Sequence, residues 1–156
     1  MLLSRKSTDK ERIVRCQGVV YRDNCILIIQ HKNLERGNVY WWLPGGGQKP
    51  GETQEECVVR EVREETCLNV KIERLLFEGD DPYNRYIYQR YATYLCSPIS
   101  GEVAIGSEDE PSSGHPIVGI GWYPLWDETR WEPGFFEEHL HPLLKSLQLA
   151  MGEERT

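Results

Sequence analysis

An α/β fold built on a mixed sheet is what this chain predicts, and three observations predict it. Short apolar runs of strand character occupy both halves, one uninterrupted helix-forming segment lies between them, and an amphipathic segment closes the chain. At 156 residues, with 39% hydrophobic and 28% charged residues, the chain fits a single domain and is long enough to bury a core. The expected domain runs over residues 13–151, between a polar, flexible N-terminal segment (1–12) and a short flexible tail (152–156).

Taken in order, Ile13–Tyr21 reads as a strand, Arg22–Asn24 carries turn chemistry, and CILIIQHK (25–32) is a second, largely buried strand, so the two form a hairpin. NLERGN (33–38) is a polar loop. YWWL (40–43) is a short strand in which Trp41 and Trp42 face opposite sides, because strand side chains alternate; one is placed to pack and the other to meet a ligand. GGG at 45–47 reads as a loop. TQEECVVREVREET (53–66) is the strongest helix: Thr53 and Glu56 have the form of a capping box, and no Pro or Gly interrupts the interior. Strands follow at Val70–Phe77 and Tyr86–Leu95, separated by the turn-rich GDDPYN. Ser97–Pro116, crowded with Ser, Gly and Pro, is a long loop of the kind that is functional or disordered. VGIGWYPL restores a strand, and FFEEHLHPLLKSLQLA ends the chain as an amphipathic helix that Pro142 is expected to kink or split. The order of elements implies an α/β sandwich; the strand order is not readable from it.

Charge narrows the function. A net charge of −7 argues against binding duplex nucleic acid, which draws its affinity from Lys and Arg neutralising phosphates. No apolar run reaches bilayer length, and MLL passes directly into the charged SRKSTDKER, so the expectation is a cytoplasmic protein without membrane association. The five cysteines form no CxxC pair and no zinc-like spacing, and read as reduced packing residues.

The distinctive stretch is GGGQKPGETQEECVVREVREETCL, Gly45 to Leu68, which places six glutamates in the fifteen residues from Gly51 to Glu65. At about 100° per residue, Glu61, Glu64 and Glu65 fall within an arc of roughly 100°, beside a valine stripe of Val58, Val59 and Val62 that can pack on a sheet. Two carboxylates about 4 Å apart repel by roughly 4 kcal/mol at an effective dielectric near 20, so a partly buried trio takes up protons or recruits a cation. Mg²⁺ prefers such oxygen ligands and commonly binds through carboxylates together with substrate phosphates. The preceding glycines let backbone approach a phosphate closely. The competing interpretation is a flexible turn and a solvated helix with ordinary Glu/Arg pairing.

Order and spacing favour the first. Gly46, Glu52, Arg60, Glu61, Val62, Glu64, Glu65 and Leu68 follow G-x5-E-x7-R-E-U-x-E-E-x-G-U, where U is apolar and aliphatic, and the stretch resembles the Nudix box of the Nudix hydrolase family. WWLPGGG before it and GWYPLWDE near the end are similar to the family's order of elements. One position departs: Cys67 stands where the box has its second glycine, which puts the helix end at a cost on the order of 1 kcal/mol unless the cap shifts, with Asn69 able to take a left-handed conformation.

The resemblance implies a Nudix-type α/β/α sandwich and hydrolysis of a nucleoside diphosphate linked to another group, with Mg²⁺ or Mn²⁺. It implies Glu61, Glu64 and Glu65 as metal-binding carboxylates, with the Gly45 carbonyl as a further ligand, Arg60 orienting and charge-balancing them, and Glu52 supporting the loop or a water shell. The base that takes the proton of the attacking water is open between Glu61 and Glu64 inside the box and Glu108 and Glu110 in the long loop, where SEDEP also reads as a solvated charge run. Gly46, Lys32, Arg36, Trp42 and Tyr83, with Trp41 and Tyr86, are candidate substrate contacts, since aromatic faces and cations suit bases and phosphates. His139 and His141, two apart on a helix, do not share a face and read as surface residues. Nucleotide sugars, nucleoside triphosphates and dinucleoside polyphosphates are the expected substrate classes, because the short segment before the first strand leaves little room for the N-terminal sheet that many ADP-ribose hydrolases of the family use in dimerisation. A nucleotide-binding sensor without turnover is the alternative, and a monomer and a homodimer are equally open.

Overall fold

The sheet is organised around one strand, β1 (Val14–Arg22), whose two edges meet three others. The computed structural model describes residues 14–80, 90–106, 115–132 and 140–155. In them follow β2 (Cys25–Lys32), β3 (Val39–Trp42), β4 (Gly45–Gly47), α1 (Gln54–Thr66), β5 (Asn69–Asp80), β6 (Arg90–Ser100), β7 (Ile117–Pro124) and α2 (Leu140–Ala150). Short 3₁₀ turns lie at Glu128–Arg130 and Gly152–Glu154.

The main path runs β3-β2-β1-β6-β5, with β4 against β1 and β7 against β2. β1 and β6 are parallel and the other pairs antiparallel, so the expected mixed sheet is present. The β1–β2 hairpin turns through Asp23 and Asn24, both with positive φ (52° and 64°), the conformation a two-residue hairpin needs and one that Asn and Asp tolerate. β2 pairs with β1 only at Tyr21 and Arg22, and β4 takes up the same edge at Arg15–Gln17. Residues 45–47, read from the sequence as a loop, are therefore a short strand, with Gly45 opposite Gln17 and Gly46 opposite Cys16. A side chain at Gly45 would place its Cβ 2.5 Å from the Cys16 carbonyl oxygen, which is why the strand approaches so closely only as glycine.

Alternation along β1 divides the core. Cys16 and Val20 join the α1 valines Val58 and Val62 on one face, and Val19 joins Trp42 and the α2 leucines on the other. Gly18 lets α1 sit close, since a Cβ there would lie 3.0 Å from both Val58 and Val62 methyls. One helix on each face makes the architecture an α/β/α sandwich. α2 relies on packing of its apolar face, as helices in proteins generally do. Burial of Leu140, Leu143, Leu144 and Leu147, each worth about 2 kcal/mol, holds it in place. Over Leu140–Ala150 the helix is not split at Pro142; residues 133–139, which the expected helix also includes in part, lie outside the described residues.

α1 begins as its sequence predicts. Thr53 Oγ1 accepts from the Glu56 amide at 3.1 Å, and Glu56 Oε1 accepts from the Thr53 amide at 3.0 Å. Its end differs from the expectation. Cys67 itself adopts the left-handed conformation (φ 65°, ψ 9°), and Asn69 opens β5. The cap does not shift because Leu68 must point into the core at once, where it is 1% exposed. All five cysteines are free thiols. Among the described residues no helix is long and apolar enough to cross a membrane.

Candidate active site

Two elements meet at the acidic helix face. β4 is held by β1, and α1 is held by its valines, so the glycine strand and the glutamates face each other across a fixed gap. Gly46 shows how narrow that gap is: a Cβ on it would stand 2.5 Å from Glu61 Oε1 and 2.6 Å from its Cδ. The glycine at this place in the box leaves the space that a carboxylate occupies.

Arg60 gathers the acids. Its Nε donates to Glu52 Oε2 at 2.7 Å and Nη2 donates to Glu52 Oε1 at 2.9 Å, a two-pronged contact. Nη1 donates to Glu61 Oε1 at 2.9 Å and to Glu64 Oε2 at 3.2 Å, and Nη2 also reaches the Gly47 carbonyl at 3.1 Å. The four side chains are between 12% and 16% exposed, so solvent screens these contacts only weakly. Arg60 beside Glu52 holds that carboxyl down at about 2, and Glu52 in return holds the guanidinium above its usual range. Glu52 thus anchors Arg60, and Arg60 aligns Glu61 and Glu64.

Glu65 is the most buried of the group, at 3% exposure, and its Oε1 accepts from the Gly45 amide at 2.8 Å. The contact displayed by Gly45 is therefore through its N–H. The end of α1 is secured by residues that the sequence did not single out: the amides of Ala104 and Gly106 donate to the Thr66 and Glu65 carbonyls at 3.0 and 3.1 Å. A Cβ on Gly106 would collide with the Glu64 carbonyl oxygen at 1.8 Å, so the start of the long loop is pinned to the helix as glycine.

Other candidates are more scattered. Trp42 is 3% exposed, and its Nε1 donates to Gln17 Oε1 at 2.9 Å; Trp41 is half-buried on the opposite side. Lys32 and Arg36 are exposed at the β2–β3 turn, with Lys32 opposite Val39, three register steps or about 10 Å along the strand from Trp42. They do not join the carboxylates. Tyr83, Tyr86, Glu108, Glu110 and His139 lie outside the described residues. His141 packs its ring against Trp131. Gln17, which the sequence did not single out, is 1% exposed, donates to Thr93 Oγ1, accepts from Trp42 Nε1 and pairs with Gly45; a polar residue in the middle of a buried strand was the available signal.

Among the described residues no three His, Cys, Asp or Glu side chains already stand as a metal-holding group, because Glu61 and Glu64 turn to Arg60 and Glu65 to Gly45. The donor set nevertheless fits a hard divalent ion. Three carboxylates surround one guanidinium and a fourth, Glu65, lies under the Gly45 amide; all these donors are oxygen, and Glu61, Glu64 and Glu65 rise from adjacent turns of one helix.

Fold and site together define a sandwich enzyme scaffold with an acidic, glycine-fronted helix, and comparison with known proteins names it. The NUDIX domain model matches residues 12–144, and the chain belongs to the Nudix family. It is 46% identical over 99 residues to an ADP-ribose pyrophosphatase of Methanocaldococcus jannaschii, covering 61% of this chain and 56% of that protein. To the NAD-capped RNA hydrolase NudC of Photorhabdus laumondii it is 34% identical over 104 residues, covering 67% and 36%. The chain thus spans little more than half, or about a third, of the length of these curated relatives. In fold it matches the crystal structure of an ADP-ribose pyrophosphatase from Streptococcus suis (TM-score 0.65, 23% identity, 93% of each chain). It also matches a MutT NUDIX hydrolase from Burkholderia pseudomallei (TM-score 0.61, 26% identity, 86% of this chain and 97% of that one).

Proposed function

We propose that the protein hydrolyses a phosphoanhydride bond in a nucleoside diphosphate linked to another group, in a divalent-metal-dependent reaction. The observation that carries this reading is the assembly of Glu52, Arg60, Glu61, Glu64 and Glu65 against the glycine strand. Glu61, Glu64 and Glu65 would hold the ion. When bound, Mg²⁺ or Mn²⁺ supplies neutralisation of phosphate charge and a more acidic water.

The chain's own groups do the rest. Arg60 keeps Glu61 and Glu64 aligned, and the Gly45 amide fixes Glu65. A water oxygen bonds to phosphorus, the bridging P–O bond breaks, the departing phosphate keeps that electron pair, and a carboxylate takes the water's proton. Glu61 and Glu64 are the candidates for that last role among the described residues, and Glu108 and Glu110, outside them, are the alternatives.

ADP-ribose belongs with nucleotide sugars, nucleoside triphosphates and dinucleoside polyphosphates as a substrate to test, because the relatives quoted above include proteins named for it. The test is incubation of the purified protein with that panel and Mg²⁺, with products separated by chromatography. Release of a nucleoside monophosphate, reduced at least 100-fold by Glu64→Gln and by Glu65→Gln with folding intact, is the expected result. Binding without any product from the panel would instead identify a sensor.

A further inference from the structure

The last turn of α1 carries two of the three carboxylates assigned to the ion, and a helix end is a poor place to fix a ligand. Glu64 and Glu65 stand where the carbonyl end of the helix dipole disfavours anions, and the final carbonyls of a helix find no partner within it. Cys67 adds the steric cost of a left-handed residue with a Cβ. Left to itself such a turn frays, which would carry Glu64 and Glu65 out of line with Glu61.

Backbone from outside the helix takes up its end. Residues 101–106 follow β6 and run past the turn, where the Ala104 amide donates to the Thr66 carbonyl at 3.0 Å and the Gly106 amide to the Glu65 carbonyl at 3.1 Å. Donation from alternate residues is what one side of an extended chain offers. Glycines allow the approach at both ends of the stretch. Gly101 has φ 96°, and a Cβ on it would lie 2.6 Å from the Cys67 carbonyl oxygen; a Cβ on Gly106 would strike the Glu64 carbonyl. Between them Val103 packs, partly buried, on the core cluster that contains Val62 and Leu68. Within the turn, Thr66 Oγ1 donates to the Val62 carbonyl at 2.6 Å and accepts from the Leu68 amide at 3.3 Å. Glu65 is therefore held at both ends, its main chain by the Gly106 amide and its carboxylate by the Gly45 amide at 2.8 Å. Glu64 has its carboxylate on Arg60 and its carbonyl against Gly106.

We propose that residues 101–106 form a backbone clamp that positions Glu64 and Glu65 for the divalent ion, with Gly106 as its principal positioning residue. The assignment rests on the metal-dependent reading above and adds to it a support for the ligands that is independent of Arg60. Gly106 acts through the helix backbone, so its effect falls on the affinity for the ion.

The experiment measures ion binding rather than turnover. Mn²⁺ is titrated into the purified protein without nucleotide, and free ion is read by electron paramagnetic resonance at a temperature where circular dichroism shows each variant folded. Glu65→Gln should strongly weaken binding, which places the ion at this site. Gly106→Ala should weaken it by about 10- to 100-fold, the scale of loss when a group supporting a metal ligand is removed. Ala104→Pro, which deletes one donor without adding a side chain against Glu64, should weaken it by about 5-fold, one hydrogen bond's worth. Ile99→Ala, exposed and outside the stretch, should bind as the wild type does. A stretch that served stability alone would lower Tm and leave the ion affinity of the folded protein unchanged. Wild-type affinity in both Gly106→Ala and Ala104→Pro thus overturns the clamp, as does an equal loss in Ile99→Ala; should Gly106→Ala fail to fold, Ala104→Pro decides alone. A wild type that binds no Mn²⁺, or whose binding survives Glu65→Gln, overturns the metal reading itself.

Discussion

Replacing Cys67 with glycine should make the protein more stable, although it deletes a side chain. Cys67 is exposed and holds φ 65°, ψ 9°, while its amide donates to the Arg63 carbonyl at 3.0 Å to close the helix. A residue with a Cβ in the left-handed region carries about 1–2 kcal/mol of steric cost. Glycine removes it but adds freedom to the unfolded chain, worth about 0.5–1 kcal/mol in the opposite direction. The net expected gain is about 0.5–1 kcal/mol. In a chain of this size that raises Tm by about 1–4 °C. Urea denaturation should show the midpoint rising with an unchanged slope, which separates a folded-state effect from a change in the denatured ensemble. Cys67→Ala is the control and should leave Tm within about 1 °C, because it keeps the Cβ. A glycine variant less stable than wild type, with the alanine variant unchanged, would refute the strain argument.

Two further outcomes follow from the site. Gly46→Ala should cut hydrolysis on the order of 100-fold with little loss of Tm, because the new methyl displaces the mobile end of Glu61 rather than backbone; unchanged turnover would remove Glu61 from the chemistry. Glu52 has a folded-state pKa of about 2 against an ordinary 4.5, so its contribution to stability is complete above about pH 4.5 and is lost as pH falls from there toward 2. Urea midpoints measured across that window should drop in the wild type and drop less in Glu52→Gln; parallel curves would show that the Arg60 contact adds no stability.

The parts of the site that were legible in the sequence are local. The Thr53–Glu56 capping box, the valine stripe and the acidic arc all follow from 3.6-residue periodicity within one helix, and each is found where its spacing put it. The reading of Gly45–Gly47 as a loop failed because a strand is made by its partner, and the partner is β1, about thirty residues upstream. Asn69 was the better local candidate for the left-handed cap, yet Leu68 had to enter the core, and packing overrode propensity. Arg15 and Gln17 carried no motif at all.

The chain alone determined that one helix would carry three carboxylates on one face with an arginine beside them, because helical geometry converts spacing into direction without reference to anything else. Tertiary structure decided what such groups meet: Glu61 lies against a glycine, Glu65 under the Gly45 amide, and Arg15 against Gln17 and the Leu43 carbonyl. The Glu61–Gly46, Glu65–Gly45 and Arg15–Leu43 contacts join residues 15, 20 and 28 positions apart, and the balance of burial and hydrogen bonding that selects them belongs to the folded whole.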